Sequence, residues 1–259
     1  MKKIITVLLV VALLFSMAAC AGTGAKNDKF VGISMPTQDL QRWNQDGANM
    51  KEKFEAAGFK VDLQYANNEV ATQVSQIENM ISAGVKVLVI AAIDGKTLTS
   101  VLASAKTAGI YVIAYDRLIM DTDAVSYYCT FDNYMVGTIQ GQYIKDQLKL
   151  DDGGKYNIEI TAGDPADNNA LYFYQGAIDV LQPYIDSGVL TVVSKQVKFE
   201  EVATPAWSTE TSQARMEAIL ASFYADGTQL DACLCSNDST AKGVTNALAS
   251  SYTGKYPIV

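Results

Sequence analysis

From Phe30 onward, short apolar runs alternate with segments whose apolar residues recur every three or four positions, the signature of strands and amphipathic helices in succession. Phe30-Val31-Gly32-Ile33-Ser34-Met35 reads as a strand stopped by Pro36. Trp43, Gly47, Met50, Phe54 and Ala57 then share one face of a helix ended by Gly58. Val61–Tyr65 is the next strand, and Val70, Val74, Ile77 and Ile81 stripe a helix closed by Gly84. Val85–Ala92 is almost wholly apolar, as a strand buried on both faces must be. Leu98, Val101, Leu102 and Ala105 carry a third helix to Gly109, and Ile110–Tyr115 is the fourth strand.

Val125–Thr130 predicts a short strand, and Phe131-Asp132-Asn133 a turn and cap leading into a helix that ends near Leu148. Past an exposed turn at Asp151-Asp152-Gly153-Gly154 the alternation restarts. Strand Tyr156–Ala162, helix Asn169–Ile185, strand Leu190–Gln196, helix Thr209–Tyr224, strand Leu230–Ser236 and helix Thr240–Ser250 follow. Tyr256–Val259 reads as the opening of one more strand, so the second half is expected to be incomplete. Repeated βα units predict an α/β protein with parallel sheets. The length suffices for two compact domains of roughly 100 residues each. Their boundary is expected near Phe131, giving a first domain over residues 29–131 and a second over 132–259.

Ahead of this pattern stands a different one. Lys2 and Lys3 precede an apolar run from Ile4 to Met17, and Met17-Ala18-Ala19-Cys20 follows. A basic start, a short apolar stretch and small residues before a cut site predict a secretory signal over residues 1–19. The run is short for a bilayer span, which takes roughly 20 apolar residues. A cysteine directly after two alanines resembles the bacterial lipoprotein signal, with Cys20 lipidated as the mature N-terminus; the alternative is a soluble exported protein with an incidental Cys20. Residues 20–28, rich in Gly, Thr, Lys and Asn, then read as a tether.

Composition narrows the chemistry. The formal net charge is −8, more acidic still once Lys2 and Lys3 leave, and no stretch concentrates Lys or Arg. Such a chain repels nucleic acid and anionic lipid, so contact with a membrane is expected only through the lipid anchor. Histidine is absent, which removes Ser-His-Asp and Cys-His nucleophile systems, HExxH metalloproteases and His-bearing zinc sites. Besides Cys20 there remain Cys129, Cys233 and Cys235, and three thiols cannot all pair within one chain. Cys233 and Cys235 alternate on an apolar run and are expected as buried strand residues. Neither a Walker loop nor GxGxxG occurs, and no cofactor is expected.

In parallel α/β sheets, ligands sit beyond the carboxyl ends of the strands. Arg42 and Trp43 follow the first strand, and Asp116 and Arg117 the fourth. Asp164, Asp167, Asn168 and Asn169 follow Ile160-Thr161-Ala162; a loop with Trp207 follows Val197, and Asn237 and Asp238 follow Cys235. Carboxylates accept hydrogen bonds, a guanidinium donates from a rigid fork, and carboxamides do both. With aromatic faces for C–H surfaces, this set fits a sugar. Each residue also has a structural alternative. Asp116-Arg117 can be a surface ion pair, and Asp167, Asn168, Asn169, Asn237 and Asp238 can be helix caps. Trp43 can be core, whereas a loop Trp207 is harder to explain by packing.

Gln76-Ile77-Glu78-Asn79-Met80, Ala114-Tyr115-Asp116-Arg117, Gly163-Asp164-Pro165-Ala166-Asp167-Asn168-Asn169-Ala170 and Ser236-Asn237-Asp238 resemble the sugar-binding proteins of bacterial ABC importers. The similarity is strongest to the xylose-binding and multiple-monosaccharide-binding branch and runs from about Phe30 to Val259. It implies two Rossmann-like lobes joined by a hinge of crossing strands, closing over one monosaccharide (glucose, galactose, arabinose or xylose) for delivery to an ABC permease, with no chemical step. Arg42, Asp116 and Arg117 would bind hydroxyls from the first lobe, Asn169 and Asn237 from the second, with Trp207 against the ring. Trp43, Asn168 and Asp238 complete the expected site. Xylose binders carry an arginine where this chain has Tyr174, which tilts the expectation toward a hexose or mixed-sugar binder. Family members also continue past the equivalent of Val259, where a returning segment adds an acidic site residue. A sensory receptor of the same fold, and an exported glycosidase using Asp116 and Asp164 as its acid pair, are the rival readings.

Overall fold

The computed structural model describes residues 29–259; the expected leader (1–19), Cys20 and the tether (20–28) lie outside the described residues. The first eight elements alternate as β1 (Phe30–Met35), α1 (Gln41–Ala56), β2 (Lys60–Tyr65), α2 (Val70–Ser82), β3 (Val87–Ile90), α3 (Thr99–Thr107), β4 (Tyr111–Tyr115) and β5 (Val125–Cys129). Their strands form one sheet in the order β2-β1-β3-β4-β5, every pair parallel. Helices cover both faces. Ile77, Met80, Leu88, Leu102 and Val112 pack on one side, and Val31, Ile33, Met35, Trp43 and Val89 on the other. That double cover is why β1 and β3 are apolar without alternation. Gly58, Gly84 and Gly109 end their helices at φ +82°, +84° and +70°, a region that residues with a Cβ avoid.

Cys129 ends β5, and Asp132 caps the next helix by accepting a 2.9 Å hydrogen bond from the Met135 N–H. The chain there passes from the first sheet to the second. Its elements are α4 (Asn133–Leu148), β6 (Tyr156–Thr161), α5 (Asn168–Asp186), β7 (Leu190–Val192), α6 (Phe199–Val202), α7 (Thr209–Phe223), β8 (Ala232–Cys235) and α8 (Asp238–Ser251). The sheet order is β7-β6-β8, again parallel. Ile158, Ile160, Leu181 and Leu234 fill one face, and Met216, Leu220, Cys233 and Val244 the other. Helices α4 and α5 touch backbone to backbone: a Cβ on Gly137 would stand 2.0 Å from the Phe173 carbonyl oxygen.

The structure departs from the sequence reading at several strand ends. β7 stops at Val192 rather than Gln196, because the Ser194 N–H turns to the buried Glu159 carboxylate (3.0 Å) instead of a neighbouring strand. Lys195 follows at φ +61°, closing a turn onto Val192. β3 and β8 are also shorter than their apolar runs, and α6 and the turn Pro205–Trp207 occupy what reads as loop. Of Tyr256–Val259, only Ile258 bridges to Ala232. Cys233 is buried and Cys235 half-buried in the α7–α8 core. No helix among the described residues is long and apolar enough to cross a membrane.

Candidate functional site

The carboxyl ends of β1 and β4 face those of β6 and β8 across a tight cleft of about 60 Å³. Leu40, Arg42, Trp43, Asp116 and Arg117 line it from the first sheet, and Asp167, Asn169, Phe173, Trp207, Asn237 and Ser239 from the second.

On the first side, Asp116 sits just past β4 with φ +64°. That left-handed conformation is uncommon for a residue with a side chain, though aspartate tolerates it better than most. It is held by the Asp116 N–H donating to the Cys129 carbonyl (2.7 Å) and by the Thr130 hydroxyl donating to the Asp116 carbonyl (2.8 Å). The Asp116 carboxylate pairs with the Arg42 guanidinium, which also reaches Asp46 at 3.2 Å. Burial works against the Arg42 charge, but Asp116 and Asp46 outweigh it and raise its pKa. The Tyr115 hydroxyl donates to Asp46 (3.1 Å); burial first, then that carboxylate, push its pKa up to about 12. Arg117 donates to the carbonyls of Ala92 (3.0 Å) and Ile93 (3.4 Å). Both guanidinium groups stand over the Trp43 ring, at 4.8 Å for Arg42 and 5.1 Å for Arg117, within cation–π range.

On the second side, Asp167 caps α5 by accepting from the Asn169 N–H (3.0 Å), and Asn237 caps α8 by accepting from the Thr240 N–H (2.9 Å). The Trp207 indole N–H donates to Asp167 (3.2 Å), and the ring meets Phe173 edge-on at 6.2 Å. Two links cross the cleft. The Asn169 amide donates to the Asp116 carbonyl (3.1 Å) while its oxygen accepts from Asn133 (2.8 Å). Arg117 Nε lies 3.0 Å from Asp167 Oδ2 with both side chains buried. The distance makes this an ion pair, but the N–H is not aimed at the oxygen, and Nε has no hydrogen-bond acceptor among the described residues. Burial raises the Asp167 pKa above its ordinary value despite the opposing pull of Arg117.

Seven of the nine residues predicted from sequence line this cleft: Arg42, Trp43, Asp116, Arg117, Asn169, Trp207 and Asn237. Two do not. Asn168 opens onto a separate surface depression with Lys96, Met120 and Leu171. Asp238 is exposed beside Ile139 and Tyr143. Adjacent helix positions point about 100° apart, so Asn168 and Asn169 cannot share one wall. Asp116-Arg117 is not a surface pair; both side chains are buried. Trp43 belongs both to the core and to the cleft wall. Trp207 is well packed after all, at 4% exposure. Tyr174 turns its hydroxyl to the Val197 carbonyl and does not line the cleft; its neighbour Phe173 does. Phe173 lies four residues past Asn169, one helical turn along the same face, which is the signal that would have found it. Asp164 and Asp116 do not form an acid pair, because Asp164 lies off the cleft with its oxygens on the N–H groups of Ala166 (2.9 Å) and Ala206 (3.0 Å). No cluster of three or more His, Cys, Asp or Glu able to hold a metal occurs among the described residues.

Residues 31–259 match the family model described as a periplasmic binding protein domain. The chain belongs to this family. Among periplasmic binding proteins it is 52% identical to the multiple sugar-binding periplasmic protein SbpA of Azospirillum brasilense over 87% of its own length and 63% of that relative's. Identity to the D-xylose-binding periplasmic protein of Escherichia coli (strain K12) is 39%, over 99% of this chain and 72% of the relative. A solved structure of an ABC transporter solute binding protein from Clostridium phytofermentans with bound β-D-glucose superposes with TM-score 0.88. That protein is 68% identical, and the match covers 89% of this chain and 72% of the other. The binding-protein family and the sugar-binding branch read from the sequence motifs are the ones these comparisons return.

Proposed function

We propose that this protein is an exported receptor that binds one monosaccharide, an aldose such as glucose, galactose, arabinose or xylose, in the cleft and delivers it to an ABC permease. The observation that carries this reading is the convergence of two indoles, two guanidiniums, carboxylates and carboxamides from both sheets on one small cleft. Arg42 and Arg117 donate to sugar hydroxyls, Asp116 and Asp167 accept, and Asn169 and Asn237 do both. An acceptor hydroxyl also answers the buried Arg117 Nε, which has none among the described residues. Trp43 and Trp207 take the C–H faces of the ring. The bound glucose of the 68%-identical Clostridium protein supports the ligand class. A ligand gripped from both sides stabilises the closed arrangement of the two lobes, divided near Phe131, and the permease is the expected reader of that state. Export and anchoring through Cys20 complete the proposal; a Cys20→Ser variant that still takes up labelled fatty acid would remove the anchor.

Calorimetric titration with the four aldoses tests the binding reading. At least one is expected to bind with one-to-one stoichiometry, and Asp116→Ala to weaken it at least about tenfold, because the ligand loses a carboxylate acceptor and Arg42 loses the partner that positions it. Absence of heat with every aldose contradicts it.

A further inference from the structure

Ala206 and Trp207 are consecutive residues in the left-handed backbone region, at φ +56° and +55°. A single such residue with a side chain is strained, and two in series persist only where the surroundings over-determine them. The surroundings here are the loop after β6. One oxygen of the Asp164 carboxylate accepts from the Ala206 N–H (3.0 Å), and the other from the Ala166 N–H (2.9 Å). The Gly163 carbonyl accepts from the Thr204 N–H (2.9 Å), and the Ala162 N–H donates to the Val202 carbonyl (2.8 Å). The indole of Trp207 then lies directly on Gly163, where an added Cβ would fall 1.9 Å from the ring. Asp164 is itself buried and pairs with no cation among the described residues.

We propose that Asp164, acting with the bare backbone of Gly163, is the positioning residue that holds Trp207 at the depth the binding cleft requires. Asp164 does not touch the cleft. It fixes the two left-handed residues from behind, and Gly163 gives the ring its seat. The height of that ring sets the gap between the indole and the charged wall opposite, and so the thickness of ligand the cleft accepts. The inference rests on the monosaccharide reading above, but its structural half stands apart from it.

The test uses the full chain with Trp43→Phe, which leaves Trp207 as its only tryptophan, since the sequence has two. In that background Trp207 emission and acrylamide quenching report how deeply the ring is seated, while calorimetry on the same substitutions in the chain that keeps Trp43 reports glucose affinity. Asp164→Ala is expected to shift emission to the red, raise quenching, and weaken glucose by at least about tenfold, which is 1.4 kcal/mol, while far-UV circular dichroism is unchanged. Asp164→Asn keeps one acceptor oxygen and is expected to fall between. Gly163→Ala is expected to unseat the ring with Asp164 intact and give the same red shift. A folded Asp164→Ala with unchanged emission and glucose affinity within about twofold of its background overturns the proposal. If Asp164→Ala does not fold, unchanged emission in both Asp164→Asn and Gly163→Ala overturns it instead. If the unsubstituted protein binds no aldose, the receptor reading fails while the emission data still decide the positioning role.

Discussion

On the first-sheet side of the cleft the wall is charged and anchored by ion pairs: Arg42 with Asp116 and Asp46, and Arg117 reaching across to Asp167. On the second-sheet side it is mostly amide and aromatic, and its anchors are backbone N–H groups, through the caps at Asp167 and Asn237 and the two hydrogen bonds that Asp164 accepts, one from its own loop and one from Ala206. The charged wall therefore ties its stability to ionisation and desolvation. The aromatic wall ties its own to backbone conformation and close packing, as at Gly163 and Gly137. A polar ligand needs both, one wall to exchange hydrogen bonds and the other to present a flat apolar surface at a fixed height.

The largest effect that separates the walls is expected at Arg117. Arg117→Ala leaves Asp167 buried without its cation, a change that costs on the order of 3–5 kcal/mol; urea unfolding should show it, together with loss of glucose binding. Arg42 offers the contrast within the same wall, because its side chain is about half exposed (49%). Arg42→Ala is expected to lower stability by less than Arg117→Ala, because its own side chain is half exposed even though its partner Asp116 is buried, while still weakening glucose, so calorimetry and unfolding should diverge. An unfolding cost as large as that of Arg117→Ala would erase the distinction.

A smaller effect follows from Asp167. Its folded pKa is raised above the ordinary 3.8, chiefly by burial. The folded protein therefore takes this proton before the unfolded chain does, and the resulting stabilisation is complete below pH 3.8 and lost as pH rises through the folded value. Relative to Asp167→Asn, the wild type should lose stability over that window and run parallel to it on either side. Unfolding midpoints of both proteins across the acid range check the sign; a wild type that gains on the variant as pH rises contradicts it. The smallest effect concerns the thiols of the two halves. Cys129 is exposed on β5, whereas burial raises the Cys233 pKa well above the ordinary thiol value and that of Cys235 to about 12. Iodoacetamide followed by peptide mapping should label Cys129 in the native protein, and Cys233 and Cys235 only after denaturation.

The difference between the walls also explains what the sequence made legible. Asp116-Arg117 could be found because a carboxylate and a guanidinium directly after an apolar strand mark a strand end, and strand ends are where such sheets bind. Asn169 and Asn237 were found by the same rule, but the rule could not separate them from Asn168 and Asp238, whose direction depends on where each helix begins. Phe173 was hidden inside a helical stripe that reads as ordinary packing. The role of Asp164 was invisible, since it depends on Ala206 and Trp207, some 40 residues away, being left-handed. The succession of strands and helices and the parallel α/β class followed from periodicity, whereas the early end of β7 needed the buried Glu159, which no local pattern announces.

The central claim is that both walls grip the same small ligand, and a calorimetric double-substitution cycle in glucose tests it most directly. Arg42→Ala from the first wall and Asn237→Ala from the second are predicted each to weaken glucose by about tenfold or more, with the double variant binding more weakly than either. Glucose affinity untouched by Asn237→Ala, with Arg42→Ala alone carrying the whole loss, would mean that one wall binds unaided and would contradict the account.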